Sequence, residues 1–170
     1  MFRALTRTQL VVDIVVAGMF VVIALPFDLD IGRFSDNNAL GTVLVALGMG
    51  TALGLRRAAP GLALTVAWAS AIVQMSLGRP PSAADVAIFG VLYATAAYGS
   101  RRVFWAGLAS TFGGAVVITV YLFAPAAAAF AVDASTITTA LAVAIAALFG
   151  LGLAWTIGAL VRTGIRARQD

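Results

Sequence analysis

The chain has 170 residues, of which 62% are hydrophobic and 11% charged, with a formal net charge of +4 and a mean hydropathy of +1.02. Soluble domains carry about 25% charged residues, so this balance excludes a water-soluble fold and places the chain in the membrane class. There is no Cys and no His, which removes disulfides, thiolate chemistry, haem ligation by His and the usual zinc ligand sets.

Met1–Gln9 carries Arg3 and Arg7 ahead of an apolar run, residues 10–27. The run exceeds the 7–15-residue apolar region of a signal peptide and no small-x-small cleavage site precedes Asp28, so it is expected to remain as a first span. The polar stretch DLDIGRFSDNN follows. It lacks the spacing and terminal Glu of a calcium loop, and reads as a solvated connection with a helix cap at Asp36 or Asn38. The second span covers about 39–55 and ends at Arg56-Arg57; Pro60 opens the third, about 61–77.

The turn GRPPS leads into the fourth span, about 83–99, closed by Arg101-Arg102. Ser82–Asp85 reads S-A-A-D, a capping-box-like start in which Ser takes an orphan N–H and Asp sits in the positive first turn. The fifth span covers about 103–124. Residues 125–136 read as a loop holding Asp133, with Ser135 or Thr136 as cap of the sixth span, about 137–161. Residues 1–161 therefore read as one all-α, polytopic membrane domain, a six-helix bundle with short loops and antiparallel neighbours. Residues 162–170 read as the start of a connecting helix.

Orientation follows from the arginines, which supply all eleven basic residues. Arg3, Arg7, Arg56, Arg57, Arg101, Arg102, Arg162, Arg166 and Arg168 fall on one side, and Arg33 and Arg79 on the other. The positive-inside rule makes the first side, with both termini, cytoplasmic, and the location a plasma membrane. Arg56, Arg57, Arg101 and Arg102 are the internal topology determinants. Small groups of arginine beside apolar spans fit topology signals better than a phosphate-binding face, so nucleic acid is not expected as a partner. The bilayer is.

Small residues recur at four-residue spacing: Gly50 and Gly54, then Ala63, Ala67 and Ala71, then Gly150, Ala154 and Gly158. Close helix packing within one chain explains them more simply than a dimer seam. Ionisable groups at membrane depth are the usual functional pointers, and they are few here. Asp13, one turn into the first span, is expected to reach water or to pair with Arg7. Gln74, Arg79 and Asp85 gather at the other ends of spans three and four, where Arg79 and Asp85 can form an ion pair. This trio is the candidate input rim. No nucleophile with a base, no carboxylate pair within a span and no phosphate loop is present, so no catalytic, cofactor-binding or metal residue is assigned.

The run RRAAPGLALTVAWASAIVQMSLGRPPSAADVAIFGVLYATAAYGSRRVFWAGL resembles the N-terminal membrane domain of actinobacterial two-component sensor histidine kinases of the class paired with NarL-type response regulators. The matching elements are Arg56-Arg57 with Pro60, Gln74, Gly78, Pro80-Pro81, Asp85, Leu92-Tyr93, Ala96-Ala97-Tyr98 and Arg101-Arg102, best over about residues 55–110. The resemblance implies a signal-input domain, homodimerisation, and a cytoplasmic kinase core with ATP, Mg and a response regulator as its partners. Neither a phosphoacceptor His nor a glycine-rich ATP box lies within these 170 residues, so no enzymatic activity or cofactor is expected of them. Arg162, Gly164 and Arg166 are the expected signal output, with Gly164 weakening helix continuity. The competing expectation is a small transporter or a substrate-binding membrane subunit, disfavoured by midplane regions without charge.

Overall fold

The computed structural model describes residues 6–32 and 39–167, and these are helical throughout their ordered elements. They form α1 (Arg7–Gly32), α2 (Ala39–Leu55), α3 (Pro60–Ser76), a 3-10 turn (Ala83–Val86) leading into α4 (Ala87–Tyr98), α5 (Arg101–Ala128) and α6 (Ala134–Arg166). Three helices, α1, α5 and α6, are long and apolar enough to cross a membrane; α2, α3 and the turn with α4 are shorter apolar helices. At 1.5 Å per residue, the 33 residues of α6 reach about 50 Å, well beyond a hydrocarbon core of about 30 Å.

The short α4 is the centre of the bundle. It packs on α2, α3, α5 and α6, and Val91, Leu92, Ala94, Ala96 and Thr95 on it are buried. The main core joins α2, α3 and α4 through Val45, Ala46, Met49, Ala63, Ala67 and Val91. Since lipid tails are as apolar as leucine, such contacts must rest on fit rather than on escape from water. The small residues provide that fit within the chain. A Cβ on Gly158 of α6 would collide with the Tyr93 carbonyl oxygen of α4 and lie 2.9 Å from Ala96 Cβ. Gly50 meets Val21 on α1, Gly54 meets Ala17 on α1, and Gly150 meets Phe89 on α4.

Several elements run further than the sequence suggests. The apolar span expected to stop at 27 continues as α1 to Gly32, so Asp28 belongs to a helix rather than to a loop. Of the expected caps in that loop, Asp36 and Asn38 lie outside the described residues, as do Arg3, Arg33 and Arg168. The fifth span does not end before Pro125. Proline lacks one N–H, but α5 holds its last turn to Ala128 and closes with Ala131 N–H on Ala126 O (3.0 Å) and Phe130 N–H on Ala127 O (3.1 Å). This is a Schellman closure with Phe130, at φ 52°, in the place usually taken by glycine. α6 then starts at Ala134 with Asp133 as its cap, not Ser135 or Thr136. Asp133 Oδ1 accepts from the Thr136 N–H and hydroxyl (both 2.7 Å) and from the Ser135 hydroxyl (2.8 Å). These donors hold the carboxyl down to about 2.

The α4–α6 contact and the free stretch of α6 make a paired test. Gly158→Ala is expected to cost about 1–3 kcal/mol through overpacking. Gly164, inside α6 with nothing within 4 Å of an added Cβ, should give the reverse: Gly164→Ala stabilises by up to about 1 kcal/mol. Unfolding in mixed detergent micelles reads both; equal shifts would contradict the close approach.

Candidate functional site

The site is built where α1, α3 and the start of α4 meet. A helix start leaves backbone N–H groups without intrahelical partners, and in the 3-10 turn Ala84 is buried and Ala83 partly so. Two carboxylates answer them. Asp28 of α1, 3% exposed, accepts from Ala83 N–H at 2.7 Å and Ala84 N–H at 3.2 Å. Asp85 Oδ2 accepts from Ser82 N–H at 2.7 Å. Negative charge here is also favoured by the helix dipole.

Gln74 ties this cap to α3. Its Nε2 donates to Asp85 Oδ2 at 2.9 Å and to Pro80 O at 2.8 Å. The turn between α3 and the cap is set by Gly78, whose φ of 67° lets Arg79 N–H reach back to Gln74 O at 3.1 Å and Gly78 N–H to Met75 O at 3.0 Å. Arg79 is buried, and its carbonyl oxygen accepts from the Tyr121 hydroxyl of α5 at 2.8 Å. Gln74, Arg79 and Asp85 therefore do gather, and they line one cavity between α3, α4, α5 and α6. Deeper along the same wall, Trp68 Nε1 donates to Ser110 Oγ at 3.0 Å.

The opposite end of the bundle is held by arginines. Asp13, fully buried, receives Arg56 Nη2 at 3.3 Å and Arg57 Nε at 3.5 Å on Oδ1. The expectation that Asp13 would reach water or pair with Arg7 is thus replaced by a pairing with the turn that follows α2, 43 residues away in sequence. Burial explains the choice: a carboxylate out of water needs partners that the fold can fix, and the doublet supplies two. Arg162 of α6 donates from Nη1 to Gly99 O at 2.8 Å and Ala96 O at 3.3 Å, satisfying carbonyls at the C-terminal end of α4. Its guanidinium also sits 5.2 Å from the centre of the Phe104 ring, which packs on Trp155 with centroids 4.6 Å apart. Arg101 and Arg102 are exposed in the first turn of α5, and Gly164 and Arg166 are exposed in the last turns of α6.

One capping side chain escapes a reading of the sequence alone: Asp28 sits among acids that look like loop residues. Arg162 is expected at the signal output, but its hydrogen bonds to the end of α4 are not legible there. The single sequence signal for Asp28 is an acid that directly ends an apolar run. The sequence profile of a domain of unknown function (DUF7134) matches residues 1–164. No curated protein and no solved structure matches the chain.

Asp28→Ala would leave one buried and one partly buried N–H group bare and is expected to cost about 1–3 kcal/mol. Thermal unfolding of the purified chain in detergent measures it. Asp133→Ala, which removes an exposed cap, serves as the comparison and should matter less. A larger loss at Asp133 than at Asp28 would contradict the cap assignment.

Proposed function

The chain belongs to the DUF7134 family, and we propose that it is the membrane signal-input domain of a two-component sensor histidine kinase. In this reading all six helices cross a plasma membrane, with the arginine end cytoplasmic. The 17 residues each of α2 and α3 reach about 25 Å, near the lower limit for crossing, which suits helices packed inside a bundle. Arg101 and Arg102 support the orientation. Cations at a helix start oppose its dipole, so they are poorly placed for helix stability and well placed as a cytoplasmic anchor.

One observation carries the proposal: α4 is held at both ends by side chains of other helices. Its start is fixed by Asp28 and, through Asp85, by Gln74; its end is fixed by Arg162 of α6. A displacement of the cap therefore has a short, rigid route to α6, whose last turns would continue toward a cytoplasmic kinase core. Signalling then needs two packings of α4 on α6 whose balance the stimulus biases. The resemblance over residues 55–110 supports the same reading and adds homodimerisation and a NarL-type response regulator as partner. A transporter remains the second reading because a cavity is present, but its polar groups gather at one end rather than at broken helices near the midplane.

The test is the protein as encoded in full, in lipid nanodiscs with ATP and Mg. It is expected to phosphorylate a His in its own chain, and Arg162→Ala should change that rate several-fold while Arg166→Ala should not. A full-length protein without a kinase core, or a rate indifferent to Arg162, would contradict the proposal.

A further inference from the structure

The cavity between α3, α4, α5 and α6 has a volume of about 370 Å³, within the range of sites that hold one small ligand. Most of its wall is apolar, with Trp68, Ile88, Phe89, Val117 and Leu151 among the lining side chains, while Gln74, Arg79, Ser82, Asp85 and Tyr121 mark its polar end. Gln74 determines what that end recognises. Its Nε2 faces two acceptors, the Pro80 carbonyl and the Asp85 carboxylate. Exchanging the amide O and N would set oxygen against oxygen on both, so the orientation is fixed by chemistry. Oε1 is then left buried with no partner among the described residues, on a side chain that is 4% exposed. Buried acceptors are nearly always satisfied, and this one lacks only a donor. The complement needed is a neutral donor rather than a charge, because Asp85 and Arg79 both line this end and leave it no net charge to attract an anion.

We propose that this cavity binds a neutral, single-chain alcohol drawn from the bilayer, its hydroxyl donating to Gln74 Oε1 and its chain lying along the apolar wall. That such a ligand is the stimulus rests on the signal-input reading above; the binding itself does not.

The experiment uses the chain in phosphatidylcholine nanodiscs with a hexadecanol carrying an aliphatic diazirine, followed by photolysis and peptide mapping. Trp68, Ile88 and Val117 are expected to be labelled at least fivefold more than Val22 and Leu160, which are exposed on the outside of the bundle. The matched methyl ether, which has no donor, and the matched carboxylic acid should label the cavity at least fivefold less than the alcohol. Gln74→Leu should reduce cavity labelling to the level of the outer faces. Because Gln74 also holds the turn, Ala71→Phe provides an independent block, filling the cavity without touching those hydrogen bonds. Labelling spread evenly over cavity and outer faces, or equal labelling by alcohol and ether, would overturn the site. Such a failure leaves the kinase-input reading standing, since kinase assays test that separately.

Discussion

A buried helix start is the constraint on which this molecule depends. A buried backbone N–H left without a partner costs about 1–3 kcal/mol. The chain begins α4 inside the bundle and must bring acceptors to it. Asp28 brings them from α1, 55 and 56 residues away in sequence from the N–H groups that it caps. That one requirement fixes the end of α1, the turn Ala83–Val86 and, through Asp85 and Gln74, the last turn of α3.

The arginine end solves the converse problem. Carbonyls at the end of α4 need donors, and Arg162 of α6 supplies two hydrogen bonds. The buried Asp13 needs compensation, and Arg56 and Arg57 provide it. Between the two ends, α4 and α6 touch nearly backbone to backbone at Gly158. Polar caps settle the ends and small residues settle the middle. Apolar area contributes little to the choice, because the alternative to a neighbouring helix is an equally apolar lipid chain.

The outline of the fold was legible in the sequence where apolar runs meet polar clusters. The expected second span, 39–55, coincides with α2, and the expected 61–77 lies one residue from α3, Pro60–Ser76. The S-A-A-D signature also located the 3-10 turn that leads into α4, through Asp85 on the Ser82 N–H; the Ser82 hydroxyl, expected to take an N–H, has no partner among the described residues. What was not legible is non-local. Asp28 and Arg162 act on residues more than 50 positions away, and Asp13 pairs with a doublet in the turn after α2 rather than with the nearby Arg7. Pro125 misled because a proline near a helix end is permitted when the turn can close around it. Helices apolar on every side carry no stripe from which an inner face can be read, so the cavity and its Gln74 acceptor emerge only in the folded bundle.

The central claim is that α4 couples the capped turn to α6. The chain lacks Cys, so spin labels at Ser100→Cys and Ile165→Cys, both exposed positions, report the distance between the end of α4 and the end of α6 without background. The account predicts that Gln74→Leu, at the far end of the bundle, shifts or broadens that distance distribution relative to the unaltered chain. An identical distribution, in a protein whose helix content is unchanged, would contradict it.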